Sequence, residues 1–209
     1  MSAPSMTLFH SPASPFVRKV HVVLIETGLL DRVTLRSCTT TPVNPDAHLL
    51  QDNPVGKIPA LRLADGSVLH DSRVILDYLD HQHLGTPLIP RDGPARWRRL
   101  TLASIADGIM DAAVLVRYET ALRPADKHWD QWLAEQRNKI RRSVAELEQD
   151  AVAELSGHFD IAALGVACAL AYLDFRHPDL QWRLANPKLA AWHAEVSQRP
   201  SMQQTQPQV

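Results

Sequence analysis

Short apolar runs and helical periods alternate along the first part of the chain. Apolar residues recur at helical spacing over 15–27, and Gly28 follows as a stop signal. Asp65-Gly66 between two apolar runs is a strong signal for a hairpin turn. A helix then begins at Asp71 or Ser72. The pattern predicts the order βαβ–ββα, with strands over 7–10, 33–36, 60–63 and 67–70.

Beyond a cluster of prolines every strong pattern is helical. Helices are predicted over 95–119, 129–151, 159–172 and 187–197. The third is apolar nearly all round, which predicts a buried central helix, and its apolar run is shorter than the ~20 residues that span a bilayer. The Gln- and Pro-rich residues 201–209 are expected to fray. The predicted fold class is α/β + all-α, with domains over 1–86 and 93–209.

Composition and charge remove several classes of function. The 209 residues include 22 basic and 23 acidic side chains, so no basic excess indicates a nucleic-acid surface. The first residues lack the pattern of a signal peptide, and we expect a cytoplasmic protein without membrane contact. Cys38 and Cys168 form no metal or disulfide motif. We expect a packed Cys168, a surface or half-buried Cys38, and no metal site.

The first candidate site follows the first strand. Ser14 precedes Pro15 at a predicted helix start, where serine is a favoured cap and proline a favoured first residue. A helix N-terminus stabilises a nearby anion, and a serine hydroxyl there can donate a hydrogen bond to a ligand's thiolate. Capping alone also explains Ser14.

Two further segments carry polar groups next to strands. If the Ile58–Pro59 bond is cis, the Ile58 backbone N–H and C=O can face outward and pair with an extended peptide. The alternative is an ordinary loop before a strand. Ser72 can hold a carboxylate while Asp71 pairs with an amine, so the two residues can receive an amino-acid head group. Helix capping by Asp71 is the alternative there.

Together the three segments resemble the N-terminal, thioredoxin-like half of the cytosolic glutathione S-transferases. Ser14 to Val20, read SPFVRKV, is similar to the family's active-site serine or cysteine followed by Pro-Phe and a basic residue. Asn53 to Pro59, read NPVGKIP, resembles the family's loop with a cis-proline. Asp71-Ser72 resembles the family's pair of an acidic or amide residue followed by serine. The resemblance extends to the proline linker and the helical second half.

The resemblance implies that glutathione lies along the open edge of the first domain. Asp71 and Ser72 would hold its γ-glutamyl end, and Ile58 its cysteinyl backbone. Lys57 is a candidate for the glycine carboxylate, with a solvated surface charge as the alternative. Ser14 would hydrogen-bond the sulfur. Glutathione is then a substrate, and no other cofactor is implied.

The resemblance also implies conjugation of the glutathione thiolate to a small electrophile, in a homodimeric enzyme. Ser11 is the second candidate for the thiol donor, because related enzymes use different residues of this loop. Candidate residues for the electrophile pocket are Ile109, Met110, Ala113 and Arg117, with ordinary core and a surface arginine as the alternative. The alternative functions are a glutathione-dependent reductase or thiol transferase and a non-catalytic interaction module.

This chain departs from the family pattern at two places. Asp71 is shorter than the usual glutamate or glutamine. Gly157 stands three residues before Asp160, where the family has a capping serine or threonine.

Overall fold

The computed structural model describes residues 5–208, which form two compact units. The first unit takes the chain up to Pro87 together with the segment that starts at Ser201, and the second spans Leu88–Pro200. A mixed sheet with helices in the first unit and helices alone in the second confirm the predicted fold class. Among the described residues, no helix is long and apolar enough to cross a membrane.

Four strands form the sheet of the first unit. They are β1 Met6–His10, β2 Val33–Ser37, β3 Ala60–Arg62 and β4 Val68–Leu69. The strand order is β2-β1-β3-β4, with β1 parallel to β2 and antiparallel to β3, and β3 antiparallel to β4. The parallel pair follows from the helical crossover between β1 and β2, and the last antiparallel pair from the Asp65-Gly66 turn.

The helices of this unit are α1 Pro15–Glu26, α2 Ala47–Asp52 and α3 Ser72–Asp80, and α1 packs against α3. The short helix α2 was not predicted. Asp46 caps it by accepting hydrogen bonds from the N–H groups of His48 and Leu49, each at 2.9 Å. Leu49 packs in a buried cluster with Phe9, Cys38 and Ala60. The expectation of a surface or half-buried Cys38 is therefore wrong.

The last residues are ordered against the first unit. A short helix, which becomes α10 in the chain order, spans Pro200–Gln204. Ser201, Met202 and Thr205 are buried. The prediction that this end frays is wrong for residues 201–205, and Val209 lies outside the described residues. The segment that starts at Ser201 groups with the first unit, whereas the predicted second domain extends to 209. Gln and Pro are typical of loose termini, but these three residues fall on one face of a helical turn and contact α1.

The second unit is entirely helical. Its long helices are α4 Gly93–Leu122, α5 Asp130–Glu146 and α7 Ile161–Arg176, and its shorter ones are α6 Val152–Leu155, α8 Trp182–Ala185 and α9 Pro187–Val196. A π-helical turn over Leu147–Ala151 joins α5 to α6. The helix α4 packs against both α5 and α7, and α7 is buried along most of its length, as its apolar sequence predicts.

Arg99 and Asp160 join α4 to the start of α7. The Asp160 Oδ1 atom accepts hydrogen bonds from the N–H groups of Ala162 at 3.0 Å and Ala163 at 3.1 Å. The Arg99 guanidinium donates to both Asp160 oxygens and, at 3.2 Å, to the Glu154 carbonyl. Arg99 thus orders the turn before α7, where Gly157 brings no capping hydroxyl.

Candidate functional site

The three predicted segments meet at one end of the sheet. Because β1 and β4 both run antiparallel to β3, the ends of β1 and β4 lie beside the start of β3. The loop with Ser11 and Ser14 follows β1, Ile58 precedes β3, and the Asp71-Ser72 pair follows β4. The topology therefore gathers groups that are scattered along the sequence.

The loop 11–14 presents two serines at the start of α1. Ser14 is the N-cap residue, as predicted, and its Oγ accepts a hydrogen bond from the Val17 N–H at 3.3 Å. Its own N–H donates to the Ser11 carbonyl at 3.1 Å. The Ser11 Oγ accepts from the Ala13 N–H at 3.4 Å. A hydroxyl that accepts with one lone pair keeps its hydrogen for donation, so both serines can donate to a ligand.

The second segment offers a backbone donor and acceptor. The Ile58–Pro59 bond is cis, as expected. Within the described part of the chain, the Ile58 N–H and C=O make no hydrogen bond. The loop is held by buried Asn53, whose amide donates to the Lys57 carbonyl at 2.8 Å and whose Oδ1 accepts from the Val55 N–H at 3.0 Å. An extended ligand would find an N–H and a C=O ready to pair.

The third segment carries a carboxylate at the start of α3. Asp71 is the N-cap residue, and its Oδ1 accepts from the Arg73 N–H at 2.9 Å. Its Oδ2 lies 3.1 Å from the Arg73 Nη2. Burial alone raises the pKa of Asp71, but the hydrogen bonds from Arg73 and the charges of Arg73 and Lys19 outweigh it and lower the pKa. Asp71 is therefore a carboxylate at neutral pH, beside the nearly inaccessible Ser72.

Lys19 was not among the predicted site residues. This residue lies on α1 with 2% of its surface exposed, and its Nζ is 5.6 Å from the centre of the Phe16 ring. Its charge lowers the pKa of Asp71 across the sheet end. A lysine is seldom so buried, so composition gave no hint of it. The available signal was the apolar pair Val22 and Val23, which follow Lys19 by three and four positions and lie on the same side of α1.

Histidine and cysteine side chains next to the site are held in their neutral forms. Burial lowers the pKa of His10, which ends β1. Burial and the nearby His10 also lower the pKa of His21. Burial and, to a smaller extent, the nearby Asp46 together raise the pKa of the Cys38 thiol to about 11 against the opposing charge of Arg36. Cys38 is therefore a protonated thiol at neutral pH.

The remaining predicted residues differ in their exposure to solvent. The Lys57 side chain is exposed, as both of its interpretations allow. Ile109, Met110 and Ala113 are wholly buried in the second unit, whereas Arg117 is exposed. None of the first three has accessible surface, so they belong to the helical core in this structure. No group of three described His, Cys, Asp or Glu residues is arranged to hold a metal.

Comparison with known protein families agrees with the geometry of both units. The family model described as the glutathione S-transferase N-terminal domain matches residues 8–87. The model of the glutathione S-transferase C-terminal domain matches residues 130–195. This chain belongs to the glutathione S-transferase family.

Relatives of this family member include proteins that hold glutathione. A glutathione transferase family member from Pseudomonas fluorescens Pf-5, with bound glutathione, is 70% identical, with a TM-score of 0.97 and coverage of 98% of this chain and 100% of that one. A second structure from that organism, 67% identical with a TM-score of 0.91, holds S-(propanoic acid)-glutathione and covers 97% and 100% of the chains. The uncharacterized GST-like protein YibF of Escherichia coli K12 is 34% identical, covering 97% of this chain and 98% of YibF.

Proposed function

We propose that this glutathione S-transferase conjugates glutathione to small electrophiles, with Ser14 as the donor to the glutathione sulfur. The observation that carries the proposal is the start of α1, where Ser14 accepts from Val17 and keeps its hydroxyl hydrogen for a ligand. Ser11 is the alternative donor in the same loop. The glutathione-bound relative, 70% identical, supports glutathione as the substrate.

Each part of glutathione has a chemical group that can bind one of the three segments at this end of the sheet. Its γ-glutamyl ammonium pairs with the ionised Asp71, and its γ-glutamyl carboxylate binds the Ser72 N–H and hydroxyl at the start of α3. The cysteinyl N–H and C=O pair with the Ile58 backbone. Lys57 can reach the glycine carboxylate as an exposed, mobile cation. This arrangement directs the cysteinyl sulfur to the loop with Ser14.

The start of α1 favours the reactive form of the thiol. A free cysteine thiol has a pKa of about 8.5, and the thiolate is the nucleophile. A hydrogen bond from Ser14 and the positive end of the α1 dipole both stabilise the anion, so the bound thiol loses its proton to solvent at lower pH. The thiolate electron pair then forms a C–S bond with the electrophilic carbon. In a substitution, the leaving group departs with the electron pair of the bond that breaks. In an addition to a double bond, the electron pair of that bond moves to the carbon that then accepts a proton.

Conjugation is favoured over disulfide reduction by the chemistry of this loop. A serine cannot form the mixed disulfide that reduction through a protein thiol requires. The nearby Cys38 is buried and, with its pKa raised to about 11, is a poor substitute. The relative that holds S-(propanoic acid)-glutathione supports the same conclusion, since that ligand bears a carbon substituent on sulfur, as a conjugation product does.

A homodimer and a cytoplasmic location remain predictions.

An absorbance titration tests the proposal. Purified protein is titrated with glutathione at neutral pH, and thiolate is followed in the ultraviolet for wild type, Ser14→Ala and Ser11→Ala. We expect saturable thiolate in wild type and Ser11→Ala and a reduced signal in Ser14→Ala. Cys38→Ala is the control and should leave the signal unchanged. Thiolate lost only in Ser11→Ala would move the role to Ser11, and no glutathione binding at millimolar concentration would contradict the proposal.

A further inference from the structure

The C-terminal segment 201–208 contacts α1 and the loop that precedes it. The Arg18 Nη2 donates to the Met202 carbonyl at 3.0 Å, and its Nε donates to the Thr205 Oγ1 at 3.3 Å. The Gln208 N–H donates to the Pro12 carbonyl at 3.4 Å. At the far end of α1, Ser201 donates to Glu26. The segment is thus bonded to both ends of the helix and to the loop that holds Ser14.

Arg18 is connected directly to Ser14, so a shift of Arg18 would also shift Ser14. Its own N–H donates to the Ser14 carbonyl at 3.0 Å and closes the first turn of the helix. Only 6% of its surface is exposed. Its guanidinium lies against a carbonyl in the last turn of α10, where the partial negative charge of a helix end favours a cation. One buried side chain therefore joins the first turn of α1 to the last residues of the chain.

We infer that Arg18 is a positioning residue for thiol activation, acting through residues 201–208. The inference rests on the proposed function, because it assigns these residues to the orientation of the Ser14 hydroxyl and the α1 N-terminus toward the glutathione sulfur. Thr205 holds the Arg18 Nε, Met202 holds its Nη2, and Gln208 steadies the preceding loop. The glutathione site thus depends on a segment that is remote in sequence from each of its ligand-binding residues.

The test compares Arg18→Met, Thr205→Val, their combination and the conservative Arg18→Lys. Thr205→Val removes the hydroxyl with little change in shape. Ile140→Val is the matched control, since it removes a methyl group from the buried core of the second unit without touching Arg18 or the segment. For each protein we would measure the thermal midpoint, the pKa of bound glutathione from absorbance, and amide hydrogen exchange over residues 11–18.

We expect Arg18→Met to raise the pKa of the bound glutathione thiol by about half a unit. At a pH well below that pKa, the fraction of thiolate then falls about threefold. Exchange over 11–18 should quicken. Thr205→Val should do the same more weakly, the double variant should match Arg18→Met, and Arg18→Lys should recover part of the loss. Ile140→Val should lower the thermal midpoint while leaving the thiol pKa unchanged. Equal thermal losses in all variants, with unchanged thiol pKa and exchange, would overturn the inference.

The exchange arm separates this inference from the proposed function. If wild type forms no glutathione thiolate, the proposed function fails, and with it the role of Arg18 in activation. Exchange over 11–18 then still decides whether Arg18 holds the loop. A variant with faster exchange over 11–18 but the same glutathione thiol pKa as wild type would also overturn the inference, because the position of the loop would then not affect activation of the thiol.

Discussion

The starts of α1 and α7 are both capped by the residue before the helix, but the two caps differ in charge. At α7, Asp160 brings its own carboxylate to the helix N-terminus, and Arg99 neutralises it. At α1, the neutral Ser14 accepts one hydrogen bond at 3.3 Å and adds no charge. The positive end of α1 is therefore left for a ligand's anion, whereas that of α7 is already satisfied. A neutral cap therefore leaves more of the positive end of a helix to a ligand's anion than a charged cap does.

The largest effect should come from removing the partner of the charged cap. Arg99→Met leaves Asp160 as a mostly buried charge without its guanidinium, and we expect a loss of about 3 kcal/mol in the free energy of unfolding. Urea denaturation of the full chain measures it. Arg98→Met is the matched control, because Arg98 pairs with Glu154 at the surface and such pairs contribute little. Equal losses in both variants would show that the buried position of the Arg99 pair is irrelevant.

Converting the neutral cap into a charged one should damage chemistry while sparing the fold. Aspartate caps a helix about as well as serine, so Ser14→Asp should keep the thermal midpoint. Its carboxylate would repel the thiolate and raise the thiol pKa by about one unit or more. We expect at least a tenfold loss of conjugation rate at neutral pH, read from a pH–rate profile. Ser14→Asn, a neutral cap of similar shape to aspartate, should lose less. An unchanged profile in Ser14→Asp would place the sulfur elsewhere.

These two caps also show what the sequence could reveal. Ser14 was recognisable as a cap residue because capping is a local signal, with a polar residue directly before an apolar helical pattern. For α7, the family resemblance placed the cap at Gly157, whereas the structure places it at Asp160. The partners of the caps were hidden. Arg99 is 61 positions from Asp160, and Arg18 is 187 positions from Thr205. No local pattern predicts such pairs, and the same limit concealed the burial of Lys19 and the packing of the last residues on α1.

The third helix start is intermediate, since Asp71 brings a charge to α3 but lies at the surface. Because its pKa is lowered, the carboxylate keeps its charge as the pH falls from 7 to 5, and it is lost only as the pH passes below the ordinary carboxyl value of about 4. We expect glutathione affinity to stay level over that range. Asp71→Asn should raise KM several-fold with a smaller change in kcat, because the amine contact is the same in ground and transition states. Calorimetry and steady-state kinetics measure both.

The smallest effect should come from restoring the missing hydroxyl near α7. Gly157→Ser meets no steric conflict, since the nearest atom to an added Cβ is the Glu154 carbonyl oxygen at 3.8 Å. Arg99 already orders this turn through Asp160 and the Glu154 carbonyl, so the hydroxyl has little left to contribute. We expect a gain of about 0.5 kcal/mol or less in the free energy of unfolding, because Asp160 rather than residue 157 caps α7 and glycine and serine differ little even at a cap position. In an Arg99→Met background the same change should gain more. Equal gains in the two backgrounds would mean that Arg99 and the family's capping hydroxyl serve separate purposes.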